Sequence, residues 1–99
     1  MTPRFSVRPS PRFERLARRL TDQHPREFPA RYAEALNILE IDPANLSHRH
    51  PIRELADVRA GDGAWRLRLG RFRFRYDIAG HDVELVYCGL RREDTYRDR

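Results

Sequence analysis

The spacing of hydrophobic residues changes twice along this chain, and each change predicts a change of structure. Phe5 to Arg8 alternates apolar and polar side chains, the period of a short strand. Phe13, Leu16, Ala17 and Leu20 then follow at helical spacing, behind Ser10 as the cap and Pro11 as the first helical residue. The stretch from Thr21 to Pro25 breaks that helix. A second helix is predicted from Pro25 or Pro29 to Ile41, with Phe28, Tyr32, Ala35, Leu36 and Leu39 on its apolar face and Asp42-Pro43 as its stop. Residues 44–63 carry the weakest pattern. Ile52 and Leu55 can anchor a short extended segment, and Gly61-Asp62-Gly63 reads as a turn.

The period then returns to two. Trp65 to Tyr76 reads WRLRLGRFRFRY, apolar and arginine residues alternating on either side of one glycine. With Gly70-Arg71 as a type II′ turn, Leu69 pairs with Phe72, Leu67 with Phe74 and Trp65 with Tyr76. The other face pairs Arg68 with Arg73 and Arg66 with Arg75. A turn from Asp77 to Asp82 around Gly80 leads into Val83–Cys88, apolar on both faces as a central strand is. Folding back around Gly80-His81 pairs Ile78 with Val83, Tyr76 with Leu85 and Phe74 with Tyr87. It also sets Cys88 beside Arg73, and Gly89 ends the pattern. The predicted order is β-α-α-β-β-β: a small α+β single domain over residues 1–99. A helical hairpin covers one face of a mainly antiparallel sheet, and the other face carries the four arginines to the surface.

Charge sharpens that picture. The chain of 99 residues suits one modest core. It carries a net charge of +5, and all 20 of its basic side chains are arginine, a bias that a GC-rich genome also produces. Like charges directly opposite destabilise a sheet, so the arginine face points to a polyanion outside the fold. Arginine stays protonated, and its planar fork matches phosphate oxygens. The composition therefore favours a nucleic acid or an acidic peptide over a small neutral metabolite. Arg12, Arg15, Arg18 and Arg19 lie off the apolar stripe of the first helix and read as a solvated face.

Other candidates resolve to bland roles. Cys88 is the sole cysteine, which excludes a disulfide framework, and its apolar surroundings VELVYCG predict a small buried residue. His48 and His50 lack cysteine or carboxylate in a ligand pattern, so a polar loop and no metal site is expected. Gly61-x-Gly63 has no helix behind it and is not a phosphate loop. No apolar stretch approaches the roughly 18 residues that span a bilayer, mean hydropathy is −0.83, and no secretory leader is evident. A soluble, cytoplasmic protein without membrane contact is expected.

The second half of the chain resembles the RelE/ParE superfamily of bacterial toxins from type II toxin–antitoxin pairs. The resemblance is carried by Leu55, WRLRLGRFRFRYDI, VELVYCG and LRREDTY. That family has a Tyr-or-Trp-Arg-x-Arg-x-Gly segment leading into an aromatic-Arg-x-x-Tyr strand, then an apolar strand ending in Gly-x-Arg with a tyrosine a few residues on. Trp65 to Gly70, Phe72 to Tyr76, and Gly89-Leu90-Arg91 with Tyr96 match it in turn. The RelE branch implies a metal-independent endoribonuclease that cuts messenger RNA on the ribosome, with a cognate acidic antitoxin as partner and no cofactor. Carried over by position, Arg73 and Arg91 act on the scissile phosphate, and Tyr96 stands near the leaving group. Arg66 and Arg68 occupy two positions that are lysine in well-known members. Arg75 and Arg92 complete the RNA-binding set. The alternatives are a non-enzymatic gyrase inhibitor of the ParE branch and a catalytically inert member that only holds its antitoxin.

The implied reaction sets its own requirements. The 2′-hydroxyl attacks the adjacent phosphate, leaving a 2′,3′-cyclic phosphate and a free 5′-hydroxyl. It needs a base, cations for the charge on the phosphorane, and an acid for the leaving oxygen. Arginines supply the second need. Base catalysis is then weak, or comes from a carboxylate such as Glu93 or Asp94, or is supplied by the ribosome, because the four histidines are all predicted in turns or loops.

Overall fold

The computed structural model describes residues 4–91. Its elements are β1 (Ser6–Pro9), α1 (Pro11–Gln23), α2 (Glu27–Ile41), β2 (Ile52–Glu54), β3 (Trp65–Leu69), β4 (Phe72–Ala79) and β5 (Asp82–Leu90). The strands form one sheet in the order β1-β5-β4-β3-β2, with β1 parallel to β5 and the other neighbours antiparallel. Both helices lie on one face of it. This is the expected α+β arrangement with one strand more than predicted. The addition is β2, which pairs with β3 at the sheet edge. Three residues are too few to display a period, so the pattern indicates only that Ile52 belongs near the core.

Local chemistry explains where each helix starts. The Ser10 hydroxyl accepts the Phe13 amide at 3.1 Å, a cap that contributes about 0.5–2 kcal/mol. α1 continues to Gln23, past the predicted break; Thr21 is accommodated within it, its hydroxyl donating to the Ala17 carbonyl at 2.8 Å. α2 begins at Glu27, between the two prolines considered, and Pro29 falls in its first turn, where a missing amide costs nothing.

The core joins Phe13, Leu20, Phe28 and Leu39 of the helices to Leu67, Leu69, Phe72, Phe74 and Tyr76 of the hairpin and to Val83, Leu85 and Cys88 of β5. The Phe28 ring lies 5.3 Å from Phe72 and 5.9 Å from Phe74, and Phe13 lies 6.4 Å from Phe74. The Tyr76 hydroxyl donates to the Pro43 carbonyl at 2.7 Å, giving the buried phenol its hydrogen bond; burial pushes its ionisation far above the ordinary range. Among the described residues no helix is long and apolar enough to cross a membrane.

The β3–β4 register agrees with the alternation at every pair from Trp65–Tyr76 to Leu69–Phe72. The turn has its positive φ on Gly70 at 61° and not on Arg71, as a type II′ turn requires. The β4–β5 register needs correction. Ile78 pairs with Val83 and Tyr76 with Leu85 as expected, but Arg75 then pairs with Tyr87, Phe74 with Cys88 and Arg73 with Gly89. Val86 is the extra residue of a β-bulge. It turns Tyr87 onto the arginine face and Cys88 into the core, so Phe74 does not face Tyr87 and Cys88 does not sit beside Arg73. Alternation could not reveal this, because Val86, Tyr87 and Cys88 are apolar enough to fit either face. β4 also runs on to Ala79 and β5 past Gly89 to Leu90.

Candidate nucleic-acid interface

Opposite the helices, successive strands line up basic side chains in rows. Arg53 of β2, Arg66 of β3, Arg75 of β4 and Tyr87 of β5 stand in register across the sheet. The neighbouring row runs Arg68, Arg73 and Gly89. Strands lie about 4.8 Å apart, and rows two residues apart about 6.6 Å. Guanidinium groups on this grid therefore reach a common anion or successive phosphates of a chain. Pro51, Ile52, Arg53, Arg66 and Arg68 line a shallow depression of about 370 Å³.

Arg91 lies one residue beyond β5, its amide donating to the Arg71 carbonyl at 2.8 Å. It is exposed and follows Gly89 by two residues, which makes it a diagonal neighbour of Arg73. The backbone of Arg91 thus lies near that of Arg73 at one end of the sheet. Arg92 and Tyr96, together with Glu93 and Asp94, lie outside the described residues.

None of the four hairpin arginines has the expected open display: Arg66, Arg68 and Arg75 are half-buried and Arg73 more so. Arg73 is only 8% exposed, so its side chain is covered instead of extended into solvent. It faces Gly89, and the Tyr87 ring lies so close over that glycine that a Cβ there would collide with the phenol oxygen. Arg75 is half-buried and bonds within the fold. Its Nε donates to the Gly63 carbonyl and one Nη to the Asp62 carbonyl, each at 3.1 Å. From the same face Asp77 accepts the amides of Gly63 at 3.0 Å and Ala64 at 3.1 Å. The loop that crosses here presses on the sheet. Gly63 has a φ of +81°, and a Cβ on it would stand 2.6 Å from a Val86 methyl. The sheet face is therefore divided, with a loop strapped over Arg75 and Val86 and basic side chains on the rows beyond.

Several other titratable groups are engaged elsewhere in the fold. Arg71, in the hairpin turn, ties the sheet to α2 by contacting Glu27 at 2.8 Å, and that hydrogen bond holds the Glu27 carboxyl below its usual range. His24 lies beside Arg71 and edge-on to Phe72, and His81 packs near Phe5. His50 sits 3.8 Å from Asp42 in the loop after α2. Burial would raise the Asp42 carboxyl, but hydrogen bonds from Ser47 and Leu46 outweigh it and hold it low. Among the described residues no group of three or more histidine, cysteine or acidic side chains is placed to hold a metal ion.

Sequence reasoning misses two residues of this face. Arg53 stays hidden because β2 is too short to show a period, although an arginine directly after a core-anchoring isoleucine is the available signal. Alternation puts Tyr87 on the core side, and only the bulge moves it. Comparison with protein-family models, with curated proteins and with solved structures finds no match to this chain.

Proposed function

We propose that this protein is the toxin of a type II toxin–antitoxin pair, a RelE-like, metal-independent endoribonuclease that cuts messenger RNA on the ribosome in the cytoplasm. The observation that carries the reading is the gathering of Arg66, Arg68 and Arg73 on one sheet face with Arg91 at its end. In this reading Arg73 and Arg91 take the charge that builds on the phosphorane, and Arg53, Arg66 and Arg68 hold flanking phosphates. A covered guanidinium such as Arg73 suits the first role, since exclusion of water strengthens its field at a developing charge.

Among the described histidines none stands on this face, so the base comes from the ribosome or from Glu93 or Asp94, and naked RNA is cut poorly. An acidic antitoxin segment that folds onto the basic face is the complementary partner. The test is primer-extension mapping of messenger RNA in a ribosome-containing reaction, with the parent, Arg91→Ala, Arg73→Gln and Arg18→Ala compared. Arg91 is exposed, so its truncation leaves the fold intact and is the cleaner of the two probes. One lost cation costs about 10²–10³ in rate, and Arg18→Ala, on the helix surface, cleaves as the parent does. Full activity in both Arg73→Gln and Arg91→Ala contradicts the roles given to these two arginines, and a parent protein that cuts no messenger RNA contradicts the nuclease reading and favours gyrase inhibition or an inert binder.

A further inference from the structure

We propose that Tyr87 is a substrate-contacting residue of the arginine face, its phenol donating a hydrogen bond to a non-bridging oxygen of the RNA phosphate that Arg73 neutralises. This rests on the endoribonuclease reading above and adds to it a residue on a described strand. Three independent features place the phenol there. The bulge at Val86 breaks the β4–β5 ladder and turns Tyr87 onto the basic face, opposite Arg75. Gly89 lies within a paired strand without a left-handed φ, so its backbone has no need of glycine; what requires the missing Cβ is the phenol resting on it. Finally, Arg12 in the first turn of α1 sits over the ring, its Cζ 5.4 Å from the centroid, and helps to hold it there.

The hydroxyl end of the ring therefore reaches the residue directly across from Arg73, two positions before Arg91. A phenol at that point is a neutral donor among guanidinium groups, and it grips a phosphate oxygen without adding to their mutual repulsion. Gly89 and Arg12 act through the phenol and are positioning residues.

The test uses the full chain and two probes: cleavage in the ribosome reaction, and binding of a short single-stranded RNA that is 2′-O-methylated throughout and cannot be cut. Tyr87→Phe keeps the ring and its packing. It is expected to lose roughly ten- to hundredfold in cleavage, the range for one hydrogen bond to a charged oxygen. Gly89→Ala, which pushes the phenol aside, reproduces the loss; if that variant fails to fold, Tyr87→Phe decides alone. A ring-fluorinated tyrosine at position 87, whose phenol ionises at lower pH, moves the alkaline loss of RNA affinity to lower pH, because a phenolate cannot donate. A merely structural tyrosine would leave that limb in place. Tyr87→Phe equal to the parent, in a system where Arg91→Ala is impaired, overturns the assignment of Tyr87 and leaves the nuclease reading standing. A parent protein that neither cleaves nor binds the methylated RNA overturns both.

Discussion

Alternate residues of the same hairpin build two faces with opposite logic. On one face Leu67, Leu69, Phe72, Phe74 and Tyr76 are essentially closed to solvent and meet the rings of Phe13 and Phe28. On the other, Arg66 faces Arg75 and Arg68 faces Arg73 across a gap that stability alone would fill with anything else. The core face is self-sufficient, since each of its contacts is made within the fold. The arginine face is only partly so, because Arg75 is taken up by the loop at Asp62 and Gly63 while the rows beyond it gather charge. Under the proposed function, this patch of like charge beside a well-packed core is the region that a polyanionic partner covers.

The sharpest contrast lies in reactivity on the core side. Burial pushes the Cys88 thiol up to about 12, so the native protein holds it as an unreactive thiol across the alkaline range. An unfolded chain ionises this group near pH 8.5, and at pH 9 labelling by a thiol reagent is expected to be about three orders of magnitude slower in the native state. The sign carries over to stability. The contribution is fully present below pH 8.5 and is lost as pH rises from there toward the folded value. Rapid native-state labelling would show that Cys88 is not in the core.

Phe74→Ala attacks the centre of the ring cluster and is expected to cost about 3–5 kcal/mol by chemical denaturation. A smaller loss would mean that the helices close over the cavity. Gly63→Ala probes the strap on the other face. The positive φ and the approach to Val86 predict a cost of about 1–3 kcal/mol, seen together with faster hydrogen exchange at Gly63 and Ala64. Arg53→Thr has the smallest effect and the opposite sign. Removing one of two facing arginines on β2 and β3 is expected to gain about 0.2–1 kcal/mol.

The same two faces show how much the sequence could disclose. Strict alternation from Trp65 to Tyr76 determines every β3–β4 pair, because a shift of one residue would bury four arginines. Both helices were legible from their apolar stripes, and the Ser10 cap from its position before Pro11. The bulge was not, because Val86, Tyr87 and Cys88 offer no polar residue to mark which of them leaves the core. That single ambiguity displaced Tyr87 from the candidate site. The burial of Arg73 was equally invisible, since alternation places it on the same face as Arg75 without showing what covers it. Arg75 is indistinguishable from its neighbours in the sequence, and only the loop carbonyls it holds set it apart.

The central claim is that the rows beyond the loop are reserved for phosphate, and the most direct measurement is the salt dependence of single-stranded RNA binding. Fluorescence anisotropy from low to moderate salt would compare the parent with the double variant Arg53→Gln/Arg68→Gln, both residues lying outside the loop's hydrogen bonds. Each phosphate contact on a single strand contributes about −0.7 to the slope of log affinity against log salt. The double variant is predicted to bind more weakly at every salt, with a slope shallower by about 1.4 and an undiminished melting temperature. Equal affinity and equal slope in the two proteins would contradict the account.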